Sequence, residues 1–298
     1  MLYQRRELLK AAAVVLPSII AVGIFVYGFI IWSFRVSVSA WDGILPNFTY
    51  VGFKNYIETF QTQRFQTDLW NTLFFTIFFL GLTVTTGLAL ALLLERSVKG
   101  EDVFRTIYLF PMAISFVVTG VAWRWIFNPT VGLNALLQKL GIPATWGWYT
   151  DPSTVGPFHV ALIPLIIAAS WQFSGYTMAM YLAALRGIPE DVIEASMIDG
   201  ATYFQRLTLV ILPLLKPITL SALIVLGHIS LKIFDLVYVM TGKGPAFATD
   251  FPGIFMFETT FRGNHYAQGA VISMVMLFLV AVVIVPYLVS VFREGRRA

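Results

Sequence analysis

The chain has 298 residues, of which 58% are hydrophobic and 12% charged, with a net charge of +4 and a mean hydropathy of +0.77. Soluble domains carry about 25% charged residues, so this composition excludes an ordinary soluble protein and indicates an integral membrane protein. The absence of cysteine excludes a disulfide, a thiolate nucleophile and a cysteine-ligated metal.

Six apolar stretches are each long enough to cross a bilayer, which takes about 20 residues in a helix. None of them alternates with the period of two that a β-barrel needs, so we predict an all-α polytopic bundle. The first stretch is longer than the core of about 7–15 apolar residues in a signal peptide, and we interpret it as a retained span. The predicted spans are 12–34, 70–94, 104–127, 157–185, 209–231 and 268–292.

Lysine and arginine are distributed unevenly between the segments that join these spans. The N-terminus, residues 95–105, residues 186–206 and the C-terminus carry 11 in 49 residues, whereas the segments on the other side carry 7 in 100. Because cationic loops stay in the cytoplasm, the dense side and both termini are predicted to be cytoplasmic. This asymmetry accounts for the positive net charge, which therefore does not indicate binding to nucleic acid. The dense-side cations are Arg5, Arg6, Lys10, Arg96, Lys99, Arg105, Arg186, Arg206, Arg293, Arg296 and Arg297.

The predicted external segments 35–69 and 128–156 hold more aromatic residues than simple connectors need. Two interpretations stay open. The segments form a cap that meets an extracytoplasmic protein, or their side chains anchor them at the membrane interface. The aromatic residues are Trp41, Tyr50, Phe53, Tyr56, Trp146, Trp148 and Tyr149.

The fourth span carries polar side chains at mid-depth. Four hydroxyl residues follow the spacing i, i+4, i+7 and i+11, which places them on one helix face. A sugar presents hydroxyl groups and apolar C–H faces, so hydrogen-bonding side chains beside a tryptophan suit it. The alternative is close helix packing with hydroxyl bonds across the interface. The residues concerned are Ser170, Trp171, Gln172, Ser174, Tyr176, Thr177 and Tyr181.

The polar segment after the fourth span is predicted to hold a rigid amphipathic helix over 189–199. Pro189 suits the first turn of a helix, and acidic residues such as Glu190 favour the positive end of its dipole. Gly200 supplies a stop, because glycine adopts the left-handed conformation without a Cβ clash. A stiff helix outside the membrane indicates docking onto another protein.

The fifth span is predicted to bend near its start, because Pro213 and Pro217 remove two backbone donors. Towards its outer end, His228, Lys232 and Asp235 are spaced i, i+4 and i+7 on one face, and the last two are placed for an ion pair. These residues either line the external mouth of a solute path or lie at the headgroup boundary.

No motif predicts catalysis or metal binding by this chain. A phosphate-binding loop would end in Gly-Lys-Ser/Thr, and the nearest string, residues 241–245, lacks the hydroxyl residue. His159, His228 and His265 are far apart in sequence and have no acidic partner at metal-ligand spacing. No Gly-x-Ser-x-Gly elbow is present.

The segment between the fourth and fifth spans resembles the "EAA" loop of the permease subunits of ABC importers. That loop has Glu-Ala-Ala, a glycine four residues later, and Ile-x-Leu-Pro about ten residues beyond the glycine. Ser196 stands in place of the second alanine, and Val210 in place of the isoleucine. The matching residues are Glu194, Ala195, Gly200, Leu212 and Pro213.

Two further strings resemble the carbohydrate-uptake branch of this family, of the maltose and glycerol-phosphate type. The first runs from Asp199-Gly200-Ala201 to the end of the loop at Leu212–Pro217. The second, Thr241–Pro245, is similar to the Thr-x-Gly-Gly-Pro loop of that branch, with Lys243 in place of a glycine. The resemblance covers residues 65–298.

The resemblance implies the type I importer permease fold, with six transmembrane helices. Residues 1–64 would hold the first span, residues 65–292 the transmembrane domain with the coupling loop 186–206, and 293–298 a basic cytoplasmic tail. The helix at 189–199 would be the coupling helix that enters a cleft of an ATPase subunit. The implied coupling residues are Glu194, Ala195, Ser196, Asp199, Gly200, Ala201, Leu212 and Pro213.

The resemblance also implies partners: a second homologous permease, a dimer of ATP-binding subunits that carries ATP and Mg, and an extracytoplasmic solute-binding protein. The chain itself would bind no cofactor, and the complex would import a sugar through a bacterial or archaeal cytoplasmic membrane. The predicted solute path comprises Trp171, Gln172, Ser174, Tyr176, Thr177, His228, Lys232 and Asp235.

Three alternatives stay open. A glycerol-phosphate or polyol permease would want a cation in the path, for which Lys232 is the nearby candidate. A secondary carrier would have buried ionisable groups and paired broken helices, neither of which the sequence predicts. A membrane scaffold that transports nothing would lack the coupling motif.

Overall fold

The computed structural model describes residues 14–95 and 100–294. Four helices are long and apolar enough to cross a bilayer by themselves: α1 (Val14–Ser37), α3 (Gln63–Glu95), α7 (Val160–Arg186) and α13 (Tyr266–Glu294). Among the described residues, two pairs of shorter helices, each bent at a break, bring the number to six if each pair is one span. The predicted all-α architecture is therefore confirmed.

The shorter elements connect or interrupt these spans. The short helices are α2 (Lys54–Gln61), α4 (Glu101–Ala113), α5 (Phe116–Ile126), α6 (Leu133–Lys139), α8 (Glu190–Ile198), α9 (Tyr203–Leu214), α10 (Lys216–Leu231), α11 (Asp235–Met240) and α12 (Pro252–Phe257). The strands β1 (Thr154–Val155) and β2 (Phe158–His159) pair in an antiparallel hairpin. Several of the predicted basic positions lie outside the described residues, namely Arg5, Arg6, Lys10, Arg96, Lys99, Arg296 and Arg297.

The stretch predicted as the third span, 104–127, is not one continuous helix, because it is broken in the middle. Helices α4 and α5 meet at an angle of 101°. Ile114 is extended between them, with ψ 140°. Ser115 starts α5 as its N-cap, since its Oγ accepts a hydrogen bond of 3.3 Å from the Val118 amide. Hydropathy does not register the break, because the residues on either side of it are apolar.

The fifth span bends near its start, as the two prolines predicted. Helices α9 and α10 make an angle of 62° around Leu215. Pro213 and Pro217 flank that residue, and neither has a backbone N–H to continue the helical ladder. Thr202 and Gln205 begin α9 with a capping box, in which each side chain bonds to the other residue's backbone.

The described chain divides into two compact units. The first contains residues 14–65 and 255–278. Within it, the segment after α1 is tied to the start of α13, because the Ala267 amide donates to the Trp41 carbonyl at 3.0 Å and Trp41 packs on Tyr266 with ring centroids 4.9 Å apart. Arg64 forms an ion pair of 2.8 Å with Glu258. None of the most apolar window of α1 is buried within the chain.

The second unit contains residues 66–254 and 279–294 of the described chain. Its core is formed by aromatic and aliphatic side chains of α3, α7, α10 and α11, including Phe75, Phe173, Leu226 and Leu236. Two glycines of this unit lie at helix crossings, Gly87 of α3 against α7 and Gly175 of α7 against α4. Small residues at a crossing let two backbones approach closely inside a membrane.

Candidate coupling loop and solute path

Helix α8 occupies the loop in which the coupling helix was predicted. Pro189 is the N-cap residue, with φ −58° and ψ 137°, so it precedes the helix and does not form its first turn. Glu190 and Asp191 fill the first turn, where carboxylates interact favourably with the helix dipole. The helix ends at Ile198, one residue before the predicted end.

The C-terminus of α8 is a Schellman turn. The Ala201 amide donates to the Ser196 carbonyl at 3.0 Å, and the Gly200 amide donates to the Met197 carbonyl at 3.0 Å. Gly200 has φ 76°, in the left-handed region that glycine adopts without a steric penalty. The stop predicted at Asp199-Gly200 therefore forms, and it fixes the direction in which the chain turns towards α9.

Most of α8 is uncovered within this chain. Ser196, which replaces the family's second alanine, is buried, and its Oγ donates to the Ile193 carbonyl at 2.6 Å. Glu194 and Ala195 are exposed, and Ile198 is 86% exposed. Farther along, Leu212 is half-buried and Pro213 is exposed. An exposed surface of carboxylates and large apolar side chains is typical of a docking site.

The residues that flank α8 pack into a second cluster of apolar side chains. Ile188 before the helix and Ile211 after it contact buried residues such as Leu182, Leu185 and Leu215. These residues belong to α7 and to the break before α10. The base of the loop is therefore anchored on the transmembrane helices.

The hydroxyl stripe of α7 faces other helices, so the packing interpretation of the stripe fits the structure. Thr177 is fully buried, and its Oγ1 donates to the Thr83 carbonyl of α3 at 3.0 Å. Tyr181 is 1% exposed and donates to Thr219 at 2.9 Å. Ser170 is buried as well, and half-buried Ser174 bonds to a carbonyl of its own helix. Thr177, which was predicted in the solute path, therefore lies in the interface between α7 and α3.

Three further residues of α7 were predicted to contact solute. Gln172 is 3% exposed, and its amide donates to the Ile114 carbonyl at 2.8 Å. Through that bond, Gln172 contacts the break between α4 and α5. The sequence did not predict this contact. Tyr176 is half-buried. Trp171 is exposed and meets Trp123 edge to face, with ring centroids 5.7 Å apart.

The predicted helical face of His228, Lys232 and Asp235 does not exist, because α10 ends at Leu231 and Asp235 begins α11. The expected ion pair between Lys232 and Asp235 is also absent from the described ion pairs. Both side chains are exposed, and both line one cavity of about 420 Å³. The cavity is also lined by Phe116, Phe173, Ile229, Ile233 and Phe234.

The break in the third span brings Phe116 to this cavity, opposite the middle of α7. Phe116 and Phe173 contact each other, with ring centroids 5.7 Å apart. The sequence did not predict either phenylalanine, since isolated aromatic residues in apolar spans carry no motif. Within the described residues, no group of three His, Asp or Glu side chains is placed to hold a metal ion.

Asn71 of α3 is a second residue that the sequence did not single out. It is fully buried, and its amide donates to the carbonyls of Phe247 and Asp250 at 3.0 and 2.9 Å. Its Oδ1 lies 2.8 Å from His159 Nδ1. These bonds hold the loop after Thr241–Pro245, in which Ala246 and Phe247 have positive φ angles of 49° and 64°.

A family described as "Binding-protein-dependent transport system inner membrane component" matches residues 83–297, more than two thirds of the chain. The chain belongs to this family. The resemblance to permease subunits of ABC importers is thereby confirmed.

Relatives of this permease cover nearly its whole length. A probable ABC transporter permease protein of Pyrococcus horikoshii is 41% identical over 284 residues, covering 95% of each chain. The xylose/arabinose import permease protein of Haloferax volcanii is 34% identical and covers 93% of this chain and 86% of its own. The trehalose/maltose transport system permease protein of Thermococcus litoralis is 31% identical, covering 95% and 94%. These relatives confirm the carbohydrate-uptake branch of the family.

A solved structure confirms the fold of the permease. A chain in the crystal structure of a bacterial ABC transporter for import of the acidic polysaccharide alginate matches with a TM-score of 0.78. The alignment covers 98% of this chain and 96% of that chain, at 23% sequence identity. The predicted type I importer permease fold is therefore confirmed.

Proposed function

We propose that this chain is one permease subunit of an ATP-driven importer for a mono- or oligosaccharide, in the cytoplasmic membrane of a bacterium or archaeon. Relatives of 34% and 31% identity are named for xylose/arabinose and trehalose/maltose. The family description names an inner membrane component of a system that depends on a binding protein. The asymmetry of lysine and arginine supports an orientation with α8 on the cytoplasmic side.

Coupling to ATP hydrolysis is assigned to α8, which would dock into a cleft of an ATP-binding subunit. The single observation that carries this proposal is that α8 has ordered ends and an uncovered surface. The Schellman turn at Gly200 and the anchored Ile188 make it a stiff projection, while Glu194 and Ile198 are exposed for a partner. A stiff element passes a displacement of the ATPase subunits to α7 and α9.

The working complex in this proposal also holds a second, homologous permease and an extracytoplasmic solute-binding protein. The uncovered apolar surface of α1 supports a partner inside the membrane. The alginate transporter has been solved in complex with its alginate-bound periplasmic protein. ATP and Mg would be held by the dimer of ATP-binding subunits, so this chain would be a transporter subunit without an ATPase site.

The cavity between α5, α7 and the α10–α11 break is the proposed contact site for solute in this chain. Phe116 and Phe173 offer apolar surfaces for the C–H faces of a sugar ring, and Lys232 and Asp235 offer a donor and an acceptor for hydroxyl groups. Import would proceed by alternating access, in which ATP and loaded binding protein shift the complex between inward-open and outward-open states.

A glycerol-phosphate or polyol permease is the second candidate, and Lys232 in the cavity is the observation that favours it. Asp235 lines the same cavity and opposes an anion, which favours the neutral sugar. Two bent helix pairs, at 101° and 62°, mean that unbroken helices do not separate this chain from a secondary carrier. Its membership of the binding-protein-dependent transport family favours the importer instead.

Uptake by the reconstituted complex tests this function. Glu194→Lys reverses one exposed charge of α8, so uptake and solute-stimulated ATP hydrolysis should both fall while the chain still inserts. Glu58→Lys on α2 is the matched charge reversal and should leave both unchanged. Normal uptake with Glu194→Lys would contradict the role of α8. ATP hydrolysis by the purified chain alone would contradict its assignment as a subunit without an ATPase site.

A further inference from the structure

Three contacts join the length of α4 to the C-terminal half of α7. At one end, Arg186 Nη2 lies 2.6 Å from Glu101 Oε1. In the middle, Gly175 lies so close to α4 that a β-carbon there would be 1.9 Å from the Tyr108 carbonyl oxygen. At the other end, Gln172 donates to the Ile114 carbonyl. Helix α4 is therefore held at both ends and at the crossing, against the C-terminal half of α7, which runs antiparallel to it.

The two ends of this pair lie beside the two proposed functional sites. Arg186 is the last residue of α7 and precedes the coupling helix α8 by a short turn. At the other end, Ile114 is followed closely by Phe116, and Gln172 by Phe173. Both phenylalanines line the cavity that is proposed to contact solute. The α4–α7 pair thus extends from the coupling loop to the cavity.

We infer that α4 and α7 move as one rigid lever, and that Gln172 is the positioning residue that ties the broken third span to it. The inference rests on the proposed function, because it takes α8 as the element that receives the motion. It also changes the role predicted for Gln172, from a contact to solute to a contact between helices.

The chemistry of the break explains why this single bond matters. A helix that ends inside the bilayer leaves carbonyl groups without intrahelical partners, and hydrocarbon offers no donor for them. The buried amide of Gln172 supplies a donor to Ile114, the residue at which the span turns. The bend therefore keeps its position relative to α7 as long as this bond is made. When the bond is lost, the bend at Ile114 and the start of α5 at Phe116 no longer keep that position, although the other two contacts still join α4 to α7.

The number of solute molecules imported per ATP hydrolysed, measured in the reconstituted complex, tests the lever. Gln172→Met keeps the length of the side chain and removes the donor. We expect that ratio to fall by about fivefold, the factor that a hydrogen bond of typical net strength contributes to an equilibrium. Thr106→Val on α4 removes a hydroxyl that bonds only within its own helix, and it should leave the ratio unchanged.

A second variant tests the α4–α7 contact at a different residue and leaves Gln172 unaltered. Gly175→Ala pushes α4 away from α7 and should lower the same ratio. If that variant does not fold, Gln172→Met decides the question by itself. If the ratio of solute imported to ATP hydrolysed is unchanged but the KM or the solute preference is altered, Gln172 contacts solute. That result would contradict the inference that α4 and α7 move as one lever. Failure of the proposed function is distinguishable, because α8 of the unaltered protein would then not cross-link to an ATP-binding subunit.

Discussion

Gly87 of α3 and Thr177 of α7 touch so closely that a β-carbon at position 87 would lie 2.0 Å from Thr177 Oγ1. The same hydroxyl donates to the Thr83 carbonyl, one turn earlier on α3. Thr177, one member of the hydroxyl stripe that was considered as a sugar-binding wall, therefore joins two transmembrane helices. The sequence predicted that these hydroxyl residues share one face of α7. It did not predict which helix packs against that face.

Gly87→Ala should destabilise the protein by about 1–3 kcal/mol, the usual cost of overpacking a tight site. Gly81→Ala is the matched control on the same helix, because a β-carbon there meets no atom within 4 Å. Thermal unfolding in detergent measures both variants. Equal midpoints for the two variants would show that the crossing at Gly87 is not tight.

Any residue that replaces Gly200 should be penalised for adopting its left-handed backbone conformation. No atom lies within 4 Å of a β-carbon built there, so the penalty comes from its φ of 76° and not from packing. We expect Gly200→Val to weaken coupled ATP hydrolysis strongly, through a left-handed conformation that costs about 1–2 kcal/mol. Gly200→Asn should be tolerated better, since asparagine visits that region. Equal losses with both residues would point to a contact with the partner subunit.

Asn71 should control the loop after Thr241–Pro245. Asn71→Leu removes two donors from buried carbonyls, so a cysteine placed at Ala246 should react faster with a water-soluble maleimide than in the parent. Leu73→Ala, at an exposed position of the same helix, serves as the control. Unchanged reactivity in the Asn71 variant would mean that the loop holds its conformation without these bonds.

The His159 partner of Asn71 should make this region sensitive to pH. Burial lowers the pKa of His159 below its ordinary value of 6.5. The unfolded segment therefore binds a proton that the folded one resists, and stability falls as pH drops below 6.5. Thermal midpoints between pH 5 and pH 8 should show this fall, and His159→Gln should reduce it. An identical pH profile in the variant would exclude His159 as the source.

The sequence predicted the features that depend on local chemistry. Pro213 and Pro217 bend the fifth span because they lack a donor, and Gly200 ends α8 because it has no Cβ. The six spans follow from their length in apolar residues.

Features that depend on tertiary neighbours were not predictable. The break at Ile114 lies in a mostly apolar stretch whose mean hydropathy does not mark it, and it is stabilised by Gln172, 58 residues away. The cavity at Lys232 and Asp235 exists because α10 ends at Leu231, where no glycine or proline marks the stop. At the first break, a long-range bond from Gln172 acts together with the local cap at Ser115.

Cross-linking from a single cysteine at Ile198 tests the central claim about α8 most directly, because the chain has no cysteine of its own and this residue is 86% exposed. In membranes that contain the whole complex, we predict a cross-link to an ATP-binding subunit and no labelling by an impermeant thiol reagent from outside. A cysteine at Val155, which is 71% exposed on β1, should behave in the opposite way. Labelling of position 198 from outside, or no cross-link to an ATP-binding subunit, would contradict the account.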